Sequence, residues 1–355
     1  MDLLVETVRQ LTEVHAVSGY EDDMIDLMRQ LLRPFVSEVK VDRLGNVAGV
    51  KPGVSATAPR IVICAHMDEV GFMVKRRNSD GSLGLSSVSG NVRALPGSEV
   101  EIRVSAGRRI PAVVGIKSAH LTSEREAAQA IPLDALYVYP ADEGETSVIP
   151  IGSTVAFKPS FRRIGRNLIS TKSLDDRSGC AALVEIARVL SGCSLDATVV
   201  LVGTTQEEIS CEGALAPALE HRADAVIAID GTVSYDTPDT AGLGEVRLGG
   251  GPVITRLLRT SGLTSWTPNP KLARLLETVA AGKGIPTQVD VVQGLMADVK
   301  PLRLFGIPSA VIGIPMRCKH SPAEVVSVDD LQAVVRLVCE LCRAVDGAFD
   351  ISRGS

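Results

Sequence analysis

The chain has 355 residues, 45% of them hydrophobic, and a formal net charge of −5. This length suits a large domain together with a smaller one. Lysine and arginine are scattered, so the sequence shows no basic surface of the kind that binds nucleic acid, and no apolar run approaches the roughly 18 to 20 residues that span a bilayer. We therefore expect no nucleic-acid partner and no membrane partner.

The first residues, MDLLVETVRQL, repeat their polar positions with helical spacing and carry Asp2 and Glu6 where a secretory signal would have basic residues. They predict an amphipathic helix. The seven cysteines, an odd number, lie mostly in apolar strand or helix patterns, which favours reduced thiols over a disulfide framework. These features predict a cytoplasmic protein.

Apolar β-branched runs alternate with helical patterns along much of the chain, which is typical of an α/β sheet covered by helices on both faces. Ser327, with Asp330 three residues later, predicts a capping box at the start of the last helix. The predicted strands are Ile61–Cys64, Thr198–Val202, Ala225–Ile229 and Ser309–Ile314, and the predicted helices are Ser178–Leu190, Lys271–Ala281 and Val328–Val345.

Between about residues 70 and 165 the pattern changes to short strand-like pieces separated by Gly, Pro and Ser, which is typical of a small β-barrel or sandwich. The pieces are Val100–Val104, Ile110–Ile116, Leu136–Tyr139 and Thr154–Phe157. We predict that residues 1–70 and 165–355 form an α/β domain and that residues 71–164 form an inserted β domain.

Histidines and acids end predicted strands or precede predicted helices at five places along the chain. Because an α/β sheet builds its sites beyond the carboxyl ends of its strands, we expect these side chains to converge. Their nitrogen and oxygen atoms suit zinc, cobalt or manganese, and a carboxylate can bridge two ions about 3.5 to 4 Å apart. The residues are His66 with Asp68, Asp175 with Asp176, Glu207 with Glu208, Asp230, and His320.

Each piece alone has an ordinary structural explanation. A lone histidine after a strand is more often a structural or surface residue. Two aspartates before a helix usually cap its N-terminus and interact favourably with the helix dipole, and a glutamate pair is usually solvated. Five such coincidences at strand ends favour one shared site, rich enough in ligands for two divalent ions.

The order of these motifs, H-x-D, DDR, EE, a strand-ending Asp and HSPxE, resembles the M42 family of metallo-aminopeptidases, the glutamyl aminopeptidase or tetrahedral aminopeptidase group. The resemblance covers essentially the whole chain. It includes AVSGYE at 16–21, DRLGNV at 42–47, HMDEVGFMV at 66–74, SLDDRSG at 173–179, LGGGP at 248–252 and RCKHSPAE at 317–324.

The resemblance implies a mixed-sheet dinuclear zinc-peptidase domain flanked by helices, with an inserted PDZ-like β-barrel for dimerisation. It implies two divalent ions, zinc first, with cobalt or manganese as alternatives. Asp175 would bridge the ions, His66 and Asp230 would complete one position, and Glu208 and His320 the other. Glu207 would be the general base, and Asp68 would orient the His66 ring. The implied assembly is a homo-oligomer, a self-compartmentalising dodecamer built from dimers, with a dimer as the minimum.

The implied activity is removal of N-terminal residues from short peptides by a metal-activated water. Two segments depart from the family pattern: EEISCEGA at 207–214, and QGLMAD at 293–298, where Met296 takes the place of an expected Asp. They leave two alternatives open, a dinuclear metal amidohydrolase acting on a modified amino-acid amide and a non-catalytic scaffold. A glycosidase is disfavoured, because it needs two carboxyls facing each other across a sugar and has no use for His66 and His320.

Overall fold

The computed structural model describes residues 3–55, 57–141, 143–260 and 264–353. It confirms the predicted fold class, a large mixed sheet with helices around it and a separate closed barrel of antiparallel strands. The helices of the described residues are α1 (Leu3–Thr12), α2 (Asp22–Leu32), α3 (Glu124–Ala127), α4 (Leu174–Ser191), α5 (Glu207–Ser210), α6 (Leu215–Glu220), α7 (Pro270–Gly282) and α8 (Val328–Ala344).

The strands fall into the two sheets, with the barrel strands lying together in the chain. They are β1 (Glu38–Val41), β2 (Val47–Lys51), β3 (Arg60–His66), β4 (Phe72–Arg77), β5 (Leu83–Ser87), β6 (Glu99–Ser105), β7 (Arg108–Gly115), β8 (Tyr137–Pro140), β9 (Thr154–Phe157), β10 (Arg162–Ile164), β11 (Leu168–Thr171), β12 (Thr198–Thr204), β13 (Ala225–Val233), β14 (Val253–Arg259), β15 (Ser265–Trp266), β16 (Gln288–Gln293), β17 (Ser309–Arg317) and β18 (Glu324–Ser327).

Four parallel strands, in the order β12-β3-β13-β17, form the centre of the large sheet. Alternate side chains of β3 enter different cores: Ile61 and Ile63 pack into the core under α1, α4 and α8, and Val62 and Cys64 pack into the core on the opposite side. Both faces of the sheet are therefore buried here, which explains why the sequences of these strands are continuous apolar runs.

The predicted central strands and helices are all present, with differences at their ends. α4 begins at Leu174 rather than Ser178, but Asp175 and Asp176 inside it have non-helical dihedral angles, and the peptide bond between them is cis. Towards the other end of the chain, Ser327 accepts a hydrogen bond from the Asp330 N–H at 3.4 Å, so this half of the predicted capping box is confirmed. The Asp330 carboxylate does not complete the box, because its oxygens accept the N–H groups of Gly249 and Gly251.

The six strands β4 to β9 close into a barrel in the order β4-β5-β8-β7-β6-β9. Its interior is a separate apolar cluster that includes Phe72, Ile102 and Val138. β10, which follows the barrel, pairs with β11 in the large sheet. The boundaries of the inserted domain at residues 71 and 164 stay a prediction.

All seven cysteines lie in the described part of the chain, and each is free. Within that part, none of the helices combines the length and apolar character needed to cross a membrane.

Candidate active site

The predicted site residues meet at one edge of the large sheet, where the carboxyl ends of the parallel strands come together. His66 is the last residue of β3 and lies opposite Thr204, the last residue of β12. Glu207 and Glu208 open α5 just after β12, and Asp230 lies within β13. This is the position at which open α/β sheets hold their ligands.

Asp175 lies at the centre of the cluster and comes from the irregular start of α4. Its Oδ1 atom is 3.5 Å from His66 Nε2, and its Oδ2 atom is 3.1 Å from His320 Nε2. His320 Nε2 is also 3.1 Å from Glu208 Oε1. One carboxylate thus faces both histidines, which lie more than two hundred residues apart in the sequence.

Three groups of side chains bring their ligand atoms within 4.8 Å of one another. Each group contains one histidine and two carboxylates, the ligand types that bind zinc and similar ions. The groups are His66 with Asp175 and Asp230, Asp175 with Glu208 and His320, and His66 with Glu207 and Glu208.

Several of these atoms are buried and have no hydrogen-bond partner among the described residues. Buried polar atoms normally have one, so a set of orphaned donors and acceptors facing one another fits a site that binds cations. The atoms are His66 Nε2, Asp175 Oδ1, Glu208 Oε1 and Asp230 Oδ1. The residues present therefore fit divalent metal ions.

Asp68 is fully buried and supports the site through its two carboxylate oxygens. Oδ1 accepts the Glu207 N–H and Oδ2 accepts the Glu208 N–H, both at 3.0 Å, and Oδ2 also accepts the Ser18 hydroxyl at 2.5 Å. The His66 ring lies closer to the backbone carbonyl of Asp68 than to its carboxylate. Its Nδ1 atom is 3.2 Å from the Asp68 carbonyl oxygen and 3.4 Å from Asp68 Oδ1. Asp68 therefore holds α5 as well as the His66 ring.

Glu324, the acid of the HSPAE motif, fixes two of the predicted ligands. Its Oε1 atom accepts the His320 N–H at 2.6 Å, and its Oε2 atom accepts the Asp175 N–H at 3.0 Å. Burial, with a further contribution from the Asp175 charge, raises the pKa of Glu324 to about 8.

Lys319 also enters the cluster, which the sequence did not lead us to expect. Its Nζ atom is 2.9 Å from Asp175 Oδ2 and 3.6 Å from Asp230 Oδ1, and it donates to the Gly231 carbonyl at 2.8 Å. Burial lowers the pKa of this ammonium, but the carboxylates of Asp175 and Asp230 outweigh burial and raise the pKa well above its usual value.

The divergent QGLMAD segment places a carboxylate two residues beyond the expected position. Met296 is buried, whereas Asp298 accepts the Gly213 N–H at 2.8 Å and forms a short hydrogen bond with the Thr204 hydroxyl. Burial raises the pKa of Asp298 to about 6. Asp298 therefore braces the segments before and after α5.

Sequence reasoning missed the roles of Glu324, Lys319 and Asp298. A signal was present for the first two, since both belong to the RCKHSPAE motif and flank His320. The divergent QGLMAD segment ends at Asp298, but its local pattern did not indicate the partners Thr204 and Gly213, which are more than eighty residues away in the chain.

An α/β sheet that collects histidine and carboxylate ligands at one edge is typical of metal-dependent hydrolases. The model of the M42 glutamyl aminopeptidase family matches residues 45–337, and the chain belongs to this family. The family is metal-dependent, and the chain is a peptide hydrolase.

Three similar proteins show how far the likeness extends. The putative aminopeptidase SgcX of Escherichia coli is 35% identical over 99% of this chain and 96% of its own length. The structure of the aminopeptidase APDkam598 from Desulfurococcus kamchatkensis is 31% identical, has a TM-score of 0.89, and is matched over 96% of this chain and 94% of its own. The TET1 peptidase of Pyrococcus horikoshii, which can assemble into a tetrahedron or a large octahedral shell, is 28% identical with a TM-score of 0.83, over 96% of this chain and 99% of its own.

Proposed function

We propose that the chain is a metallo-aminopeptidase that removes N-terminal residues from short peptides with a metal-activated water. The observation that carries this proposal is the placement of Asp175, whose two oxygens face His66 and His320 separately. A carboxylate in this position suits a bridge between two ions.

Two of the three ligand groups support two proposed metal positions. The first metal position would be formed by His66, Asp175 and Asp230, and the second metal position by Asp175, Glu208 and His320. Zinc is the first choice for both, with cobalt or manganese as alternatives, because the same nitrogen and oxygen ligands accept all three. When bound, such ions supply Lewis acidity that lowers the pKa of a shared water and stabilises the oxyanion of the tetrahedral intermediate.

Glu207 is the proposed general base. Its Oε2 atom lies 3.9 Å from His66 Nε2, and its side chain is buried beside both metal positions. Burial raises the pKa of Glu207 well above its usual value, His66 opposes this, and the carboxylates of Asp230 and Glu208 add to it. This environment favours a carboxyl that takes a proton from the water and keeps it until the leaving amine accepts it.

Hydrolysis of aminoacyl p-nitroanilides tests the activity. Substrates with a free amino terminus and their N-acetylated counterparts are compared for the purified protein, after chelation, and after zinc, cobalt or manganese is added back. We expect cleavage of the free substrates only, loss of cleavage on chelation, and recovery with metal. Metal binding without cleavage of any peptide substrate would favour the amidohydrolase or the scaffold.

We also propose that the β domain at 71–164 mediates dimerisation and that the chain forms a homo-oligomer, with a dimer as the minimum and a dodecamer built from dimers as the larger form. The likeness to an assembling TET peptidase supports this. A cytoplasmic location is proposed as well, and the free state of all seven cysteines supports it.

A further inference from the structure

We propose that Lys319 is a built-in cation that competes with the divalent ion of the second metal position. This inference rests on the proposed function, since it concerns the filling of the same site. It starts from an ammonium group that lies among the very carboxylates proposed as metal ligands.

The contacts of Lys319 place its charge where a metal would act. Nζ lies 2.9 Å from Asp175 Oδ2, the oxygen that also faces His320, and 3.6 Å from Asp230 Oδ1. A hydrogen bond of 2.8 Å to the Gly231 carbonyl holds it there, and the side chain is only 10% exposed. The ammonium is therefore held by three oxygens rather than resting on the surface.

The two metal positions differ in what already occupies their ligand atoms. In the first position, the facing atoms of His66, Asp175 and Asp230 have no hydrogen-bond partner among the described residues, and Lys319 approaches only Asp230 Oδ1, at the longer ion-pair distance of 3.6 Å. In the second, Asp175 Oδ2 is already engaged by Lys319 and by His320. An ion entering the second position has to displace the ammonium from this oxygen or share the oxygen with it.

The charges agree with this competition. The ligand carboxylates Asp175, Glu208 and Asp230 carry three negative charges, which one divalent ion and one ammonium balance. A second divalent ion beside the ammonium adds positive charge beyond what these three ligand carboxylates balance, in a buried site where charges are weakly screened. Binding of the second ion therefore carries the cost of breaking the ion pairs of Lys319 with Asp175 and Asp230.

Titration of the metal-free protein with Zn²⁺ alone tests the inference. The protein is stripped with a chelator, and binding is followed by calorimetry and by metal analysis after dialysis, for the unaltered chain and for Lys319→Met. Lys319→Gln is a second variant in case the methionine variant fails to fold, which circular dichroism checks. Lys283→Met is the matched control, because Lys283 pairs with Glu340 on the surface.

We expect the unaltered chain and Lys283→Met to bind a first Zn²⁺ tightly. Their affinity for a second Zn²⁺ should be at least about tenfold lower than the affinity of Lys319→Met for its second Zn²⁺. Equal affinity for the second ion in the unaltered chain and both Lys319 variants would overturn the inference. Hydrolysis of free aminoacyl substrates is measured on the same samples. Absence of cleavage in every sample would count against the proposed function. The Zn²⁺ titration tests the competition between Lys319 and the second ion independently of cleavage.

Discussion

Glu207 and Glu208 are neighbours in the chain but contact different histidines, His66 at 3.9 Å and His320 at 3.1 Å. This separation supports different roles for the two acids. Glu207 also belongs to one of the three possible ligand groups, together with His66 and Glu208. Its role as a base rather than a ligand can therefore be tested by measuring metal content and activity together.

For Glu207→Gln we expect hydrolysis to fall by about 10²- to 10⁴-fold, because the amide cannot accept the proton of the water. Metal content should not change. Steady-state kinetics and metal analysis measure the two quantities. Glu212→Gln is the control, since Glu212 lies in the same segment but pairs with Lys300 at 3.2 Å. Loss of metal in Glu207→Gln would instead show that Glu207 is a ligand.

Gly231 is required by a close approach rather than by its dihedral angles. A Cβ atom at this position would lie 2.7 Å from Asp175 Oδ1 and 3.0 Å from the Met316 methyl group. We expect Gly231→Ala to displace the Asp175 carboxylate and to weaken metal binding by at least about tenfold, as measured by Zn²⁺ titration. Gly192→Ala, where a Cβ would meet no atom within 4 Å, should leave binding unchanged. Equal Zn²⁺ affinity in both variants would contradict this account.

At the scale of the elements, the site depends on how short segments are tied to one another. α5 has only four residues, which is too short to be stable alone. Its first two N–H groups are held by Asp68, which follows β3 and also accepts the Ser18 hydroxyl. The loop after β3 therefore positions the loop after β12.

For Asp68→Asn we expect metal affinity to fall about 10- to 100-fold and kcat to fall with it. An asparagine amide has one acceptor oxygen, and its NH₂ group opposes one of the two N–H groups of α5. Zn²⁺ titration and steady-state kinetics measure both effects. Ser18→Ala removes a single hydrogen bond and should have a smaller effect on both quantities. If Ser18→Ala lowered metal affinity and kcat as much as Asp68→Asn does, the hydrogen bonds from Asp68 to α5 would not be the main support of the site.

At the scale of the whole molecule, the barrel contacts the N-terminal segment that precedes the large sheet, and it does so through polar groups. His15 is buried, and its Nε2 atom lies 2.9 Å from the Thr154 hydroxyl of the barrel. Arg109 of the barrel donates to the Glu13 carbonyl at 3.0 Å, and Arg103 lies 3.3 Å from Asp23. Protonation of His15 would place a charge in this buried contact.

Burial lowers the pKa of His15 to about 3, whereas an unfolded histidine has a pKa of about 6.5. As the pH falls below about 6.5, His15 binds a proton in the unfolded chain but not in the folded chain, so the free energy of unfolding decreases. The His15 contribution is complete above this pH and is lost towards pH 3, by at most about 1.4 kcal/mol per pH unit.

Urea unfolding at about pH 7 and about pH 5 measures this contribution. The His15→Gln variant should lose less stability between these pH values than the unaltered chain. An identical loss in both proteins would exclude His15 as the titrating group.

The proposed assembly predicts a mass in solution of at least twice the 37.4 kDa of one chain. Size-exclusion chromatography with light scattering measures it, because the method reports mass independently of shape. A mass equal to one chain at all concentrations would exclude the homo-oligomer.

The amino-acid sequence by itself determined the class of fold, because buried parallel strands need apolar residues on both faces and the insert is marked by its turn residues. It also pointed to the candidate ligands, since histidines and acids are unusual at the ends of apolar strands. Tertiary structure alone decided which atoms meet. Asp175 reaches both histidines only because the irregular start of α4 lies over the ends of β3 and β13. Asp298 and Lys319 acquire their partners in the same way, through contacts between segments far apart in the chain, and sequence patterns report local periodicity rather than such distances.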